Sequence, residues 1–172
     1  RTNALLEGHF ILSSGLHSPQ YVQCAQLMSK PDKAEKICKS LSEKIKKEFN
    51  TVDLILSPAM GGIIIGYEIG KLLKIETIFC ERVDGSFNLR RDFIIKEKQK
   101  VLIIEDVITT GKSSIECSKI VKDSGAYIVG YACIIDRSNG QSAIKEKIIS
   151  QVKLNIPTYT KENLPDNLIS IE

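Results

Sequence analysis

The stretch Val101-Leu-Ile-Ile-Glu-Asp-Val-Ile-Thr-Thr-Gly-Lys-Ser-Ser114 constrains this chain more than any other. Val101–Ile104 is apolar at every position, which predicts a strand covered on both faces. From Ser114 to Lys122 the apolar residues recur as one face of a helix. Strand, tight turn and helix in that order bring backbone N–H groups and the positive end of a helix dipole to one point, which makes an anion site. Glu105 and Asp106 stand at the predicted end of the strand, beside that anion site and outside it. Acids next to a phosphate cradle suit a ligand with both a phosphate and hydroxyls, such as a ribose phosphate.

Two plainer readings compete. Gly111-Lys112-Ser113 has the ending of a nucleotide-triphosphate P-loop, but that motif needs a glycine where this chain has Asp106, and the loop is too short to wrap two phosphates. An ordinary buried strand followed by a capped helix explains Val101–Ile104 and Ser113. It explains the paired acids only if both are simply solvated.

The remaining pattern points to an α/β fold with a central, mostly parallel sheet flanked by helices. Asp32–Phe49 spaces Ala34, Ile37, Cys38, Leu41, Ile45 and Phe49 along one face and charges along the other, with Pro31-Asp32 as a start signal. Strands are expected at Val52–Ser57, Thr77–Glu81, Val101–Asp106 and Ile128–Ile135, and a helix at Ile63–Lys74. Gly66 and Gly70 weaken that helix, and their spacing suits close packing on the sheet. The 172 residues make a single domain, 1–172, with an N-terminal hood over about residues 1–30.

Composition excludes more than it selects. No apolar run approaches a membrane span, and a formal charge of +3 is too small to argue for nucleic acid. Five cysteines without CxxC spacing predict buried free thiols and a reducing, cytoplasmic setting. With His9 and His17 the only histidines, a histidine-based metal site is not expected.

In parallel sheets ligands bind beyond the carboxyl ends of the strands. Here four such ends are unusual. Ser57-Pro-Ala-Met-Gly-Gly62 is small and precedes a helix, as a second anion loop or a plain tight turn would. Glu81–Asp92 carries Arg82, Arg90 and Arg91 around Gly85, and reads either as a mobile lid whose guanidiniums clamp phosphate or as an Asp-Gly hairpin. Asp136-Arg137 places a cation at the last strand end, for a substrate carboxylate or a surface ion pair.

Glu105-Asp106-Val-Ile-Thr-Thr-Gly-Lys-Ser113 resembles the phosphoribosyl diphosphate (PRPP) signature of type I phosphoribosyltransferases. Phe10-x-Leu-x-Ser14-Gly15-x-x-Ser18-x-x-Tyr21, Pro58-Ala59-x-Gly-Gly, Glu81-Arg82-x-Asp-Gly and Asp136-Arg137 are similar, in order and spacing, to the orotate-using branch of that family. The resemblance implies transfer of ribose 5-phosphate from PRPP to orotate, in pyrimidine nucleotide biosynthesis. It implies that Glu105 and Asp106 hold the ribose hydroxyls and act in catalysis together with Arg82. It implies that Val107, Ile108, Thr109, Thr110, Gly111, Lys112 and Ser113 cradle the 5′-phosphate, and that Ala59 and Gly61 meet the diphosphate. Orotate would touch Thr109, Arg137 and Tyr21. Mg²⁺ is the implied cofactor, carried by substrate and water without direct protein ligands. A homodimer is implied as well. The chain departs from better-known members in lacking lysine near Ser13, near Gly61 and beside Arg82, where it has Val83.

Overall fold

The computed structural model describes residues 4–12 and 15–169, without the side chains of residues 167 and 169. The strands are β1 (Leu5–Ile11), β2 (His17–Val22), β3 (Leu54–Pro58), β4 (Thr77–Val83), β5 (Ser86–Leu89), β6 (Lys100–Ile108), β7 (Tyr127–Asp136) and β8 (Ile148–Lys153). The helices are α1 (Cys24–Met28), α2 (Pro31–Glu48), α3 (Gly61–Leu73), α4 (Lys112–Asp123) and α5 (Asp166–Ile169). Six strands form one sheet in the order β5-β4-β3-β6-β7-β8, and β1 and β2 form a separate hairpin. Every pairing in the large sheet is parallel except β4 with β5.

Period-two alternation in the central strands explains the layers. Leu102, Ile104, Ala132 and Ile134 pack with α2 and α3 residues such as Leu41, Ile45, Ile65 and Ile69 on one face. Val101, Ile103, Tyr131 and Cys133 pack with Cys117 and Val121 of α4 on the other. All five cysteines are free and buried. The hood hairpin joins the body through a backbone pair between His17 and Tyr159. Ser14, expected at the hood turn, lies outside the described residues.

Several boundaries differ from the sequence reading, strands β5 and β8 were not expected, and three differences bear on the site. Strand β6 does not end at Asp106 but continues through Ile108, because Val107 and Ile108 still pair with Ile135 and Asp136 of β7. Pro58 completes β3 and Gly61-Gly62 open α3, so the glycine-rich turn shrinks to Ala59–Met60, joined by a cis peptide. The segment after β4 is a regular hairpin closed at Asp84-Gly85, both with positive φ, 50° and 83°. Such a pair is what a two-residue turn compatible with strand twist requires.

Candidate active site

Glu105 and Asp106 lie where β6 has lost one neighbour. Strand β3 pairs with Val101–Ile103 only, so beyond Ile103 that edge of β6 is open while β7 still covers the other. Being adjacent in a strand, the two acids turn to opposite faces. Asp106 shares the α3 face: a Cβ added to Gly61 would lie 2.6 Å from Asp106 Oδ2, so a side chain at residue 61 would push that carboxylate from its place. Glu105 shares the α4 face, is 6% exposed, and accepts a hydrogen bond from Ser114 Oγ at 2.5 Å. Burial pushes the Glu105 carboxyl up to about 7, aided by the negative charges of Asp106 and Glu116 and opposed by the Ser114 hydrogen bond and Arg82. Asp106 is also raised by burial, against stabilising backbone N–H groups of Val107 and its own residue.

The turn after β6 is held from both sides. Arg137 N donates to Ile108 O at 2.8 Å, and Ala143 N donates to Thr110 O at 3.1 Å. Gly111 adopts φ 78°, and a Cβ there would lie 2.8 Å from Ile144 Cγ1, so glycine is required twice over. Helix α4 then starts at Lys112, whose N–H leans on Thr110 Oγ1 at 3.3 Å. Thr109, Thr110, Gly111, Lys112 and Ser113 thus form a compact turn and first helical turn beside the acids, with helix N–H groups pointing outward. Val107 and Ile108 belong to the strand that leads into it, and the Ile108 side chain is in the core.

Ala59 and Gly61 flank the end of β3, with Ala59 N donating to Cys80 O at 2.7 Å and so tying that turn to β4. In the hairpin the guanidiniums are engaged: Arg82 pairs with Glu116 at 2.5 Å and lies 4.1 Å over the Phe87 ring. Arg90 and Arg91 both reach Glu81, at 3.5 and 3.2 Å. The Arg82 side chain is 41% exposed, so its pair with Glu116 is a weak tether.

At the end of β7, Arg137 is 7% exposed. Its NH2 donates to Ser18 Oγ of the hood at 3.3 Å, its Nε has no partner, and no acid among the described residues is in salt-bridge range of it. Burial lowers its pKa, and the nearby Tyr21 offsets part of that. Tyr21 is half-exposed on β2 and stacks on Phe10, with ring centroids 5.6 Å apart. The structure therefore brings the acids, the cradle, the Ala59–Gly61 turn and Arg137 to the carboxyl ends of neighbouring strands, and places Arg82 on the hairpin above α4. Sequence reasoning missed Ser114 and Glu116, which hold Glu105 and Arg82, and it quoted Ser18, which holds Arg137, only as part of the hood motif without a role. The signal for Ser114 was present: Ser114, Cys117, Ser118 and Val121 are the buried stripe of α4, so a serine sits on the inward face.

A parallel sheet whose strand ends carry paired acids and a pinned turn opening a helix is the architecture, and comparison with known proteins gives its class. Residues 27–163 match the family described as Phosphoribosyl transferase domain, and the chain belongs to that family. Within it, the chain is 44% identical over 172 residues to orotate phosphoribosyltransferase of Parvibaculum lavamentivorans, covering 99% of this chain and 89% of that one. It is 47% identical over 169 residues to the same enzyme of Methylorubrum extorquens, covering 98% and 86%. Among solved structures, orotate phosphoribosyltransferase of Aeropyrum pernix shares the fold with a TM-score of 0.74 at 20% identity, covering 89% of each chain.

Proposed function

We propose that this chain catalyses the reaction of orotate with PRPP to give orotidine 5′-monophosphate and diphosphate. The observation that carries the choice of base is Arg137: a buried guanidinium without an acid partner, facing the hood, suits a base that brings its own carboxylate. Relatives at 44% and 47% identity over nearly the whole chain, which bear the name of that enzyme, support the same reading.

The bond from ribose C1 to diphosphate breaks as the orotate nitrogen bonds to C1 and gives up its proton to the departing diphosphate, through a state with positive charge on the ribose. Glu105 and Asp106 accept hydrogen bonds from the ribose hydroxyls and place negative charge near that cation. The Thr109–Ser113 turn holds the 5′-phosphate with N–H groups, and the turn at Ala59 and Gly61 lies where the leaving diphosphate would sit. Arg82, released from Glu116, supplies a guanidinium to phosphate oxygens, and hairpin closure limits hydrolysis of PRPP. Mg²⁺, which prefers oxygen ligands and keeps several waters, would be carried by diphosphate oxygens and water. That ion would neutralise the departing group.

We place the working enzyme in the cytoplasm as a homodimer; the five buried free thiols support the reducing compartment. No helix among the described residues is long and apolar enough to cross a membrane.

Loss of orotate absorbance on adding PRPP and Mg²⁺ tests the reaction, with uracil and hypoxanthine as controls that stay unconverted. Asp106→Asn keeps the fold and lowers turnover by roughly a hundredfold or more, as expected for one lost electrostatic contact at a reacting centre. A folded Asp106→Asn protein with intact turnover would remove Asp106 from the mechanism.

A further inference from the structure

We propose that Ser114 is a positioning residue for ribose recognition, its hydroxyl holding one oxygen of Glu105 and leaving the other free for a ligand hydroxyl. This rests on the ribose-binding reading of Glu105 above. Ser114 is fully buried at the third position of α4 and donates to Glu105 Oε2 at 2.5 Å. A helical serine usually turns its hydroxyl back to the carbonyl four residues earlier. Here that carbonyl, Thr110 O, accepts instead from Ala143 N, and Ser114 reaches across to β6. One hydrogen bond therefore links the helix turn that would hold the 5′-phosphate to the carboxylate that would hold the hydroxyls. The phosphate and hydroxyl subsites are set at a fixed separation by it.

The same bond decides the charge state of Glu105. Burial favours the protonated acid, and Asp106 and Glu116 add to that; Ser114 and Arg82 favour the carboxylate. Cys117, Tyr131 and Cys133 complete the groups that feel the Glu105 charge, from α4 and β7. With its carboxyl at about 7, Glu105 is balanced near neutrality, and loss of the donor moves its titration to higher pH. A protonated Glu105 offers one acceptor fewer to the ribose.

PRPP binding by calorimetry, without orotate, from pH 5.5 to 9 on the unaltered protein, Ser114→Ala and Ser114→Thr tests this. Ser114→Ala weakens PRPP at every pH because the carboxylate is no longer held, and by about a further tenfold below pH 7, the equivalent of one pH unit in the titration, so the gap narrows without closing by pH 9. Ser114→Thr, which keeps the hydroxyl, stays within about twofold throughout. A gap that does not change with pH, or no gap, or threonine behaving as alanine, overturns the proposal. If Ser114→Ala does not fold, Ser114→Cys, a weak donor of similar size, is judged by the same outcomes. Should the unaltered protein bind PRPP and leave orotate unconverted, the choice of base falls and the Ser114 comparison still stands. Absence of PRPP binding at every pH overturns both.

Discussion

Arg137 is 7% exposed, keeps Nε unpartnered and has a serine hydroxyl where a buried cation ordinarily has a carboxylate. Such a charge costs folding free energy that only a bound anion offsets. Arg137→Met is therefore expected to unfold at equal or higher urea concentration, with a gain of up to about 2 kcal/mol, because an apolar chain replaces an uncompensated charge. The same variant raises the KM for orotate by roughly a hundredfold, since losing one partner of a buried charge pair costs about 2–5 kcal/mol. A Met variant less stable than the parent would mean that Arg137 is compensated in the free protein. At this scale the sequence exposed Glu105, Asp106 and Arg137 as unusual residues at strand ends. It did not expose the roles of Ser114 and Ser18. A serine near a helix start reads as a cap, and one in a hairpin reads as a turn, so their inward hydrogen bonds became visible only with the packing.

Helix α3 was legible both in kind and in the reason for its glycines, close packing on the sheet, though not in the contacts that enforce it. The sequence placed a helix here despite Gly66 and Gly70, and both glycines face the sheet: a Cβ at Gly66 would meet Ser57 Oγ at 2.1 Å, and one at Gly70 would meet Thr77 Oγ1 at 2.0 Å and Ile75 O at 2.9 Å. Alanine gains about 1 kcal/mol over glycine inside a helix. Overpacking costs about 1–3 kcal/mol, and the Ile75 carbonyl at Gly70 is backbone that cannot rotate away. Gly70→Ala is thus expected to lower stability by up to about 2 kcal/mol, measured as a fall in the urea midpoint with unchanged slope. A rise would show that α3 can shift outward freely. Strand ends were read less well for a related reason. Whether β6 stops at Asp106 or Ile108 depends on how far β7 runs beside it, and that pairing joins residues far apart in sequence.

The order β5-β4-β3-β6-β7-β8 lies beyond periodicity, because alternation says which residues face in and not which strand lies beside which. The order nonetheless governs a property of the whole molecule. It buries Glu105 between β7 and α4, where its carboxyl titrates near 7 against an ordinary 4.5. Between those values the folded chain holds a proton on Glu105 that the unfolded chain releases, so this residue's contribution to stability is highest at or below pH 4.5 and declines as pH rises toward 7. Above that window the full cost is present, on the order of 3 kcal/mol. Glutamine keeps an oxygen to accept from Ser114 and cannot ionise. Glu105→Gln is accordingly expected to melt about 5–10 °C above the parent at pH 8. Other titrating groups, common to both proteins, cancel in the difference, so the gap should shrink steadily on acidification and vanish near pH 4.5. A gap of constant size across that range would place its origin in packing, and no gap at pH 8 would mean that Arg82 and Ser114 together stabilise the carboxylate enough to cancel its burial.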